Sequence, residues 1–351
     1  MKIAQIAPLY EAVPPKFYGG TERVVSFLTE EMVALGHDVT LFASADSKTK
    51  AKLEPMWPQA LRLSQVGDQN APHAYLFEQV YRRAHEFDIL HFHLDYLPFS
   101  LFGRQDVPFI TTLHGRLDLE ELQPVYTIFN DVPIVSISNS QRIPLPQANF
   151  VATVLHGLPL DLLRPVEKSQ DYLAFLGRIA PEKNVIEAIE IADRAGMKLK
   201  IAAKIDRADR TYYEEQVAEH FKRPHVEYIG EIADHQKAEF LSGAKALLMP
   251  IYWPEPFGLV MIEAMACGIP TVAYKAGSVP EVLEDGLTGY IATGVEAATA
   301  AVKKLDQLPP RSQIRKRFEE RFSAKRMAED YLEVYRRLIE EKRPVLQGAK
   351  Q

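Results

Sequence analysis

Residues 246–273 read ALLMPIYWPEPFGLVMIEAMACGIPTVA. Ala246–Pro250 is a short apolar run leading into a Pro-bracketed turn, Pro254-Glu255-Pro256. After Gly258 the pattern changes. Leu259, Ile262 and Ala266, with Met261 and Met265, fall at helical spacing, and Gly268 stops the helix. Ile269–Ala273 is a second apolar run. Strand, loop, helix and strand in that order put the loop at the carboxyl end of a parallel sheet, where open α/β folds bind ligands. The backbone N–H groups of Phe257, Gly258, Leu259 and Val260 open the helix and offer an anion site. Two carboxylates flank it, Glu255 in the loop and Glu263 inside the helix. Glu263 stands among Ile262, Ala264, Met265 and Ala266, where burial without a partner is costly; the plainer reading puts it on a solvated face. An anion cradle between two acceptors for hydroxyl groups fits a phosphate flanked by two polyols, as in a nucleotide sugar.

Working outward, the same unit of pattern repeats. Lys2–Ala7 is a buried first strand, followed by a Pro-rich loop ending in Tyr18-Gly19-Gly20-Thr21-Glu22. A helix begins there, with Thr21 as its cap and Val24, Val25, Leu28, Met32 and Leu35 as its apolar face. Asp38–Ala43 is the second strand. Gly19-Gly20 is either a plain tight turn or a place where bare backbone meets a ligand's phosphates; it is not the G-x-G-x-x-G of dinucleotide binding. Residues 46–70 read as an irregular polar insertion, and Pro72–Glu86 as a helix. Asp88–His93 is a strand with His91 and His93 on one face, where they line a cleft or pack, since no Cys or third His joins them as a metal set. Pro108–Leu113 is a strand with His114 at its ligand end. Pro133–Ser138 and Phe150–Val154 complete an α/β half.

His156–Val166 has turn-prone residues and no period, and reads as the linker. The second half opens with strand Tyr172–Leu176, then Gly177-Arg178 and Pro181-Glu182-Lys183-Asn184 before a helix. Arg178 and Lys183 beside a helix N-terminus make a pyrophosphate site, or else a solvated basic pair near Glu182. Strands follow at Lys198–Ala202, Val226–Ile229 and Ala246–Met249. Gly230 and Gly277 end further β segments and could approach a base or phosphate. The last helix runs from about Ala324 to Glu341, and Lys342–Gln351 looks frayed.

The 351 residues allow two ordinary domains. A net charge of −6, with neither half basic, argues against a nucleic-acid footprint and against broad docking on anionic lipid. The single cysteine, Cys267, excludes an intrachain disulfide and suits a reducing compartment. The N-terminal apolar run is too short for a signal peptide, and no run approaches the roughly 18 apolar residues of a membrane span. The expectation is a cytoplasmic protein.

Taken together, these motifs resemble those of the family 4 retaining glycosyltransferases, which have the GT-B fold. The matching pieces are Tyr18–Glu22, Thr112–Gly115, His156–Asp161, Phe175–Lys183, Glu255–Glu263 and Phe322-Ser323 with Arg326-Met327, in the family's order and across nearly the whole chain. The resemblance implies an α/β architecture of two Rossmann-like domains with a cleft between them. Residues 1–160 would form the acceptor side and 161–323 the nucleotide-sugar side, with 324–351 as a helix packing back on the first domain. It implies that Arg178 and Lys183 hold the donor diphosphate, with Phe257, Gly258 and Leu259 beside them. Glu263 would bind the ribose hydroxyls and Glu255 the donor sugar. His114 would contact the sugar, and Gly19 and Gly20 would approach the phosphates. His114 and Glu255 are the catalytic candidates. The partners are a nucleotide-sugar donor and a carbohydrate or small hydroxyl acceptor, with no cofactor and no required metal. Two departures stand out. Ala203-Lys204-Ile205 lies where the family often has Gly, and the first half lacks a bulky acceptor platform. A nucleotide-sugar epimerase and a non-catalytic nucleotide-sugar binder of the same fold are the alternatives; leakage of sugar from the donor to water separates a transferase from a binder.

Overall fold

The computed structural model describes residues 1–16, 19–167 and 171–342. The chain forms two units. The first comprises Met1–Ile137, Arg142–Leu155 and the segment from Ala324 onward; the second comprises Ser138–Gln141 and His156–Ser323.

The first unit is built on seven parallel strands: β1 (Lys2–Ile6), β2 (Asp38–Ser44), β3 (Lys52–Trp57), β4 (Ile89–Phe92), β5 (Phe109–Thr112), β6 (Ile134–Ser136) and β7 (Phe150–Thr153). Their order is β3-β2-β1-β4-β5-β6-β7. The second unit has six parallel strands: β8 (Tyr172–Arg178), β9 (Lys198–Lys204), β10 (Val226–Gly230), β11 (Ala244–Met249), β12 (Thr271–Tyr274) and β13 (Gly289–Ala292). Their order is β10-β9-β8-β11-β12-β13. Helices cover both faces of such sheets, so central strands are apolar throughout rather than alternating. β4 and β12 are buried at every position. Ile6, Leu90, Phe92, Phe102 and Phe109 lie in one core, and Leu173, Phe175, Ile189, Ile201 and Leu248 in the other. Each sheet reverses its strand order once, at β1/β4 and at β8/β11. The crevice at the carboxyl ends of the two strands at such a reversal is where this architecture binds ligands.

Three local expectations are corrected. Residues 46–70 are not wholly irregular: β3 pairs in parallel with β2, Thr40 opposite Lys52 and Leu41 opposite Leu53. Its Lys, Glu and Pro55 obscure the strand pattern, yet they are tolerated because β3 is an edge strand. Thr21 is not the helix cap. The helix Gly20–Ala34 starts one residue earlier with Gly19 as N-cap, whose carbonyl accepts the N–H of Arg23 at 3.2 Å. The expected Pro72–Glu86 helix is Asn70–Arg83 with a following 3₁₀ turn. Tyr18 lies outside the described residues. The last helix, Ala324–Lys342, takes in Lys342, while 343–351 lie outside the described residues.

Candidate functional site

At the strand-order reversal of the second unit, β8 ends in Arg178 and β11 runs into the loop 250–258. Pro181–Lys183 forms a 3₁₀ turn after β8. Asn184 then adopts a left-handed conformation (φ 53°) before the helix Val185–Ala195. That kink turns the Asn184 amide onto the Pro250 carbonyl, to which it donates at 3.0 Å. It leaves Lys183 against the loop, where its ammonium bonds the Glu255 carboxylate and lies 4.9 Å from the Trp253 ring centroid. The Trp253 indole N–H donates to the same Glu255 oxygen at 2.9 Å. Glu255 therefore has an opposite charge and a neutral donor on one oxygen.

The loop is held from behind. Gly277 (φ +51°) packs so tightly that a Cβ there would stand 2.4 Å from the Glu255 backbone. The Ser278 N–H donates to the Glu255 carbonyl at 3.0 Å, and its hydroxyl donates to the Phe257 carbonyl at 2.8 Å. The Gly277 segment thus shapes the Glu255 loop from within the protein. Gly258 (φ +79°) begins the helix Leu259–Ala266, and a Cβ on it would meet Met261 Cε at 2.7 Å. Helix geometry leaves the first N–H groups, at Leu259 and Val260, without acceptors inside the helix.

Glu263 is buried, not solvated, and its partner is Lys237, whose ammonium donates at 2.7 Å. Lys237 is also 3.1 Å from Asp234, both on the helix Asp234–Ser242. Sequence reasoning missed Lys237, because no spacing ties it to a residue on another helix. It also missed the surroundings of Arg178. The guanidinium donates to Glu182 at 2.5 Å and lies 3.8 Å from Asp206 and 3.6 Å from Asp209. Asp206 and Asp209 follow β9, just after Ala203-Lys204-Ile205, the stretch that departs from the family pattern. The structure thus joins Lys183 to Glu255 and places Arg178 one turn away, through Glu182. Glu255 and Glu263 are held by different partners, Lys183 and Trp253 for the one and Lys237 for the other.

The other candidates lie in the first unit. Gly19 is extended, and a Cβ on it would stand 2.8 Å from Pro15 Cβ, so its smallness serves close packing. Gly20 is the first residue of its helix. His114 follows β5 and bonds through Nε2 to Nδ1 of His93 at 2.9 Å. His93 Nε2 meets Gln5 Oε1 at 2.9 Å. His91 packs, as one of its two readings held. It is fully buried, with Nδ1 2.6 Å from the Tyr335 hydroxyl and Nε2 2.7 Å from Thr112 Oγ1. Desolvation pushes the His114 imidazole down to about 3 and holds His91 well below its ordinary value, so both rings are neutral near pH 7. Among the described residues, no three His, Cys, Asp or Glu side chains form a group that could hold a metal ion, and no helix is long and apolar enough to cross a membrane.

Residues 164–324 match the family model described as "Glycosyl transferases group 1", and residues 18–141 match "Glycosyltransferase Family 4". Alpha-maltose-1-phosphate synthase of Mycolicibacterium smegmatis is 33% identical over 205 residues, which cover 53% of this chain and 51% of that relative. The protein of the same name from Mycobacterium tuberculosis is 31% identical over 286 residues, covering 66% of this chain and 74% of the relative. Among solved structures, sucrose-phosphate synthase from Thermosynechococcus elongatus has a TM-score of 0.80 at 19% identity, with 97% of this chain and all 100% of that one covered. HepE of Anabaena in complex with UDP-glucose has a TM-score of 0.72 at 17% identity, with 96% and 100% covered.

Proposed function

The chain belongs to glycosyltransferase family 4 and has the GT-B fold, and from that premise we propose that it transfers a sugar from a nucleoside-diphosphate sugar to a hydroxyl acceptor, retaining the anomeric configuration and requiring no metal. The observation that carries this reading is the Lys183–Glu255 pair beside the N-terminus of the helix Leu259–Ala266, at the strand-order reversal of the second sheet.

In this reading Arg178, Lys183 and the N–H groups of Phe257, Gly258 and Leu259 bind the diphosphate. As the bond from the anomeric carbon to the phosphate oxygen breaks, they stabilise the departing charge as a metal ion would. When Lys183 turns to phosphate, Glu255 loses its counter-ion and accepts a hydrogen bond from a hydroxyl of the sugar. Glu263, held by Lys237, accepts from the ribose hydroxyls. His114 is the sugar-contacting residue of the first unit, and Gly19 and Gly20 offer backbone to phosphate. The acceptor oxygen attacks the anomeric carbon from the face the phosphate leaves, and its proton passes to the leaving phosphate oxygen. Glu255 serves as an acceptor beside the diphosphate cradle and not as a nucleophile beneath the sugar, the role that a double displacement demands. The names of the relatives and the UDP-glucose complex of HepE direct the donor search to nucleotide hexoses.

The test starts with thermal shifts against UDP, GDP, ADP and their hexoses, since ligand binding to the native state raises the melting temperature. The donor selected is then incubated with candidate hydroxyl acceptors, and the anomeric proton of the product is read by NMR. A product of retained configuration, formed equally well in EDTA, supports the proposal. An inverted product refutes the retaining mechanism, and turnover abolished by EDTA and restored by Mg²⁺ refutes metal independence.

A further inference from the structure

We propose that Gln5, His93 and Tyr335 are positioning residues that hold His114 in the tautomer protonated at Nε2, so that Nδ1 is the ring's acceptor nitrogen. The inference deepens the reading of His114 as the sugar-contacting residue and rests on it for its functional consequence.

Gln5 lies in the middle of β1, directly opposite His91 of β4 in the ladder. Its amide nitrogen faces two groups, the Tyr335 hydroxyl at 3.1 Å and the Met32 sulfur at 3.4 Å. A thioether sulfur accepts and never donates, so the NH₂ end belongs on that side and the carbonyl end must face His93. Gln5 Oε1 can only accept. His93 Nε2, 2.9 Å away, therefore carries a proton. His93 is buried, which disfavours a charged ring, and a neutral imidazole holds one proton, which makes His93 Nδ1 an acceptor. His114 Nε2, 2.9 Å from that atom, must then be the donor.

A second branch completes the set without conflict. Tyr335, accepting from Gln5, donates to His91 Nδ1 at 2.6 Å. His91 Nε2–H donates to Thr112 Oγ1 at 2.7 Å, and the Thr112 and Tyr331 hydroxyls are hydrogen-bonded at 2.9 Å, where either can donate. Gln5, His91, Thr112, Tyr331 and Tyr335 are buried, as is His93. A flipped Gln5 amide would face donor to donor at His93 and acceptor to acceptor at Met32 in a buried environment. The helix Ala324–Lys342, which supplies Tyr331 and Tyr335, thereby reaches His114 through two intermediaries. A sugar hydroxyl that meets the Nδ1 side of His114 is received as a donor.

The experiment labels the histidine rings with ¹⁵N and reads their tautomers from two-bond proton–nitrogen spectra. The His114 signals are assigned by their loss in His114→Ala. Wild-type His114 is expected in the Nε2–H form. Gln5→Leu removes the acceptor for His93 Nε2–H, so the His93 proton moves to Nδ1 and the His114 proton is driven to its own Nδ1. Tyr335→Phe, the milder change, leaves only the Met32 sulfur to orient the amide and is expected to give a mixture of tautomers. Both variants should lower kcat, Gln5→Leu on the order of 10-fold, with donor KM unchanged. Tyr331→Phe removes a buried hydroxyl from the far end of the His91 branch, and His114 is expected to keep its Nε2–H form. An Nδ1–H form in the wild type overturns the inference. So does an unaltered His114 tautomer in both Gln5→Leu and Tyr335→Phe. Full turnover in His114→Ala overturns the role given to His114 under the proposed function. The relay itself stands or falls on the spectra.

Discussion

The polar groups at the carboxyl end of the second sheet are ions in exchangeable pairs: Lys183 with Glu255, and Arg178 with Glu182, Asp206 and Asp209. The Lys183 and Arg178 side chains remain 22% and 30% exposed, so water can reach them and a competing anion can displace their partners. At the same end of the first sheet the polar groups are imidazole rings, an amide and hydroxyls, linked from His114 to Tyr331 by buried hydrogen bonds. One sheet architecture thus supports two kinds of polar site. Ion pairs that water can still reach trade partners more readily than a fully buried pair would. A buried neutral network is rigid, because every rearrangement leaves a group unsatisfied. The first arrangement suits capture of a charged donor, and the second suits a fixed hydrogen-bond acceptor.

The comparison breaks first at Glu255. Glu255→Gln keeps the size and removes the charge that Lys183 neutralises. The expected loss in kcat is on the order of 100-fold, the scale of removing one preorganised electrostatic contact at a reacting centre. Intact-mass measurement after incubation with donor should find no sugar adduct in the variant or the wild type; a stable adduct would assign Glu255 or a neighbour to a double displacement.

Arg178 sharpens the contrast between capture and competition. Arg178→Ala is expected to weaken donor binding by about 1.5–3 kcal/mol, the range for a charge-assisted hydrogen bond. Asp209→Asn should act in the opposite direction, tightening nucleoside-diphosphate binding by up to about 1 kcal/mol, since it removes a half-screened competitor for the same guanidinium. Titration calorimetry with the nucleoside diphosphate reads both. Equal affinity in wild type and Asp209→Asn would mean that the carboxylates do not compete with phosphate.

The rigid side of the comparison is tested by pH. His91 is neutral and buried in the native state, with its proton affinity held well below the ordinary value of 6.5. The unfolded chain therefore binds this proton more readily than the folded one. Stability is complete above about pH 6.5 and falls as the pH drops below it, by at most about 1.4 kcal/mol per pH unit from this residue. Urea midpoints measured between about pH 7 and pH 5 should decline less steeply in His91→Gln than in the wild type. Parallel declines would show that His91 takes a proton without unfolding the network.

Much of this molecule was legible in its residues. The apolar runs with interposed helical periods identified parallel α/β units, and the loop Pro254–Gly258 before an apolar helix was placed correctly at the carboxyl end of β11. Such features are local: a few neighbouring side chains decide strand or helix, and a Gly or Pro decides where each stops. The edge strand β3 escaped because an edge tolerates the polar and Pro residues that hide its pattern.

What only the tertiary structure decided is which groups share a partner. Glu263 could be read as buried or as solvated until Lys237 was found beside it, 26 residues earlier in the chain. Arg178 read as part of a pyrophosphate site or of a solvated basic pair near Glu182, and only the fold brings Asp206 and Asp209, after β9, to within 4 Å of it. Gln5 and Tyr335 are 330 residues apart, and no spacing rule connects them. The physical reason is the same in each case. A side chain's own type and its neighbours in sequence determine whether it can be charged, buried or helical. Its hydrogen-bond partner, and with it its protonation, depends on which distant element the sheet lays alongside.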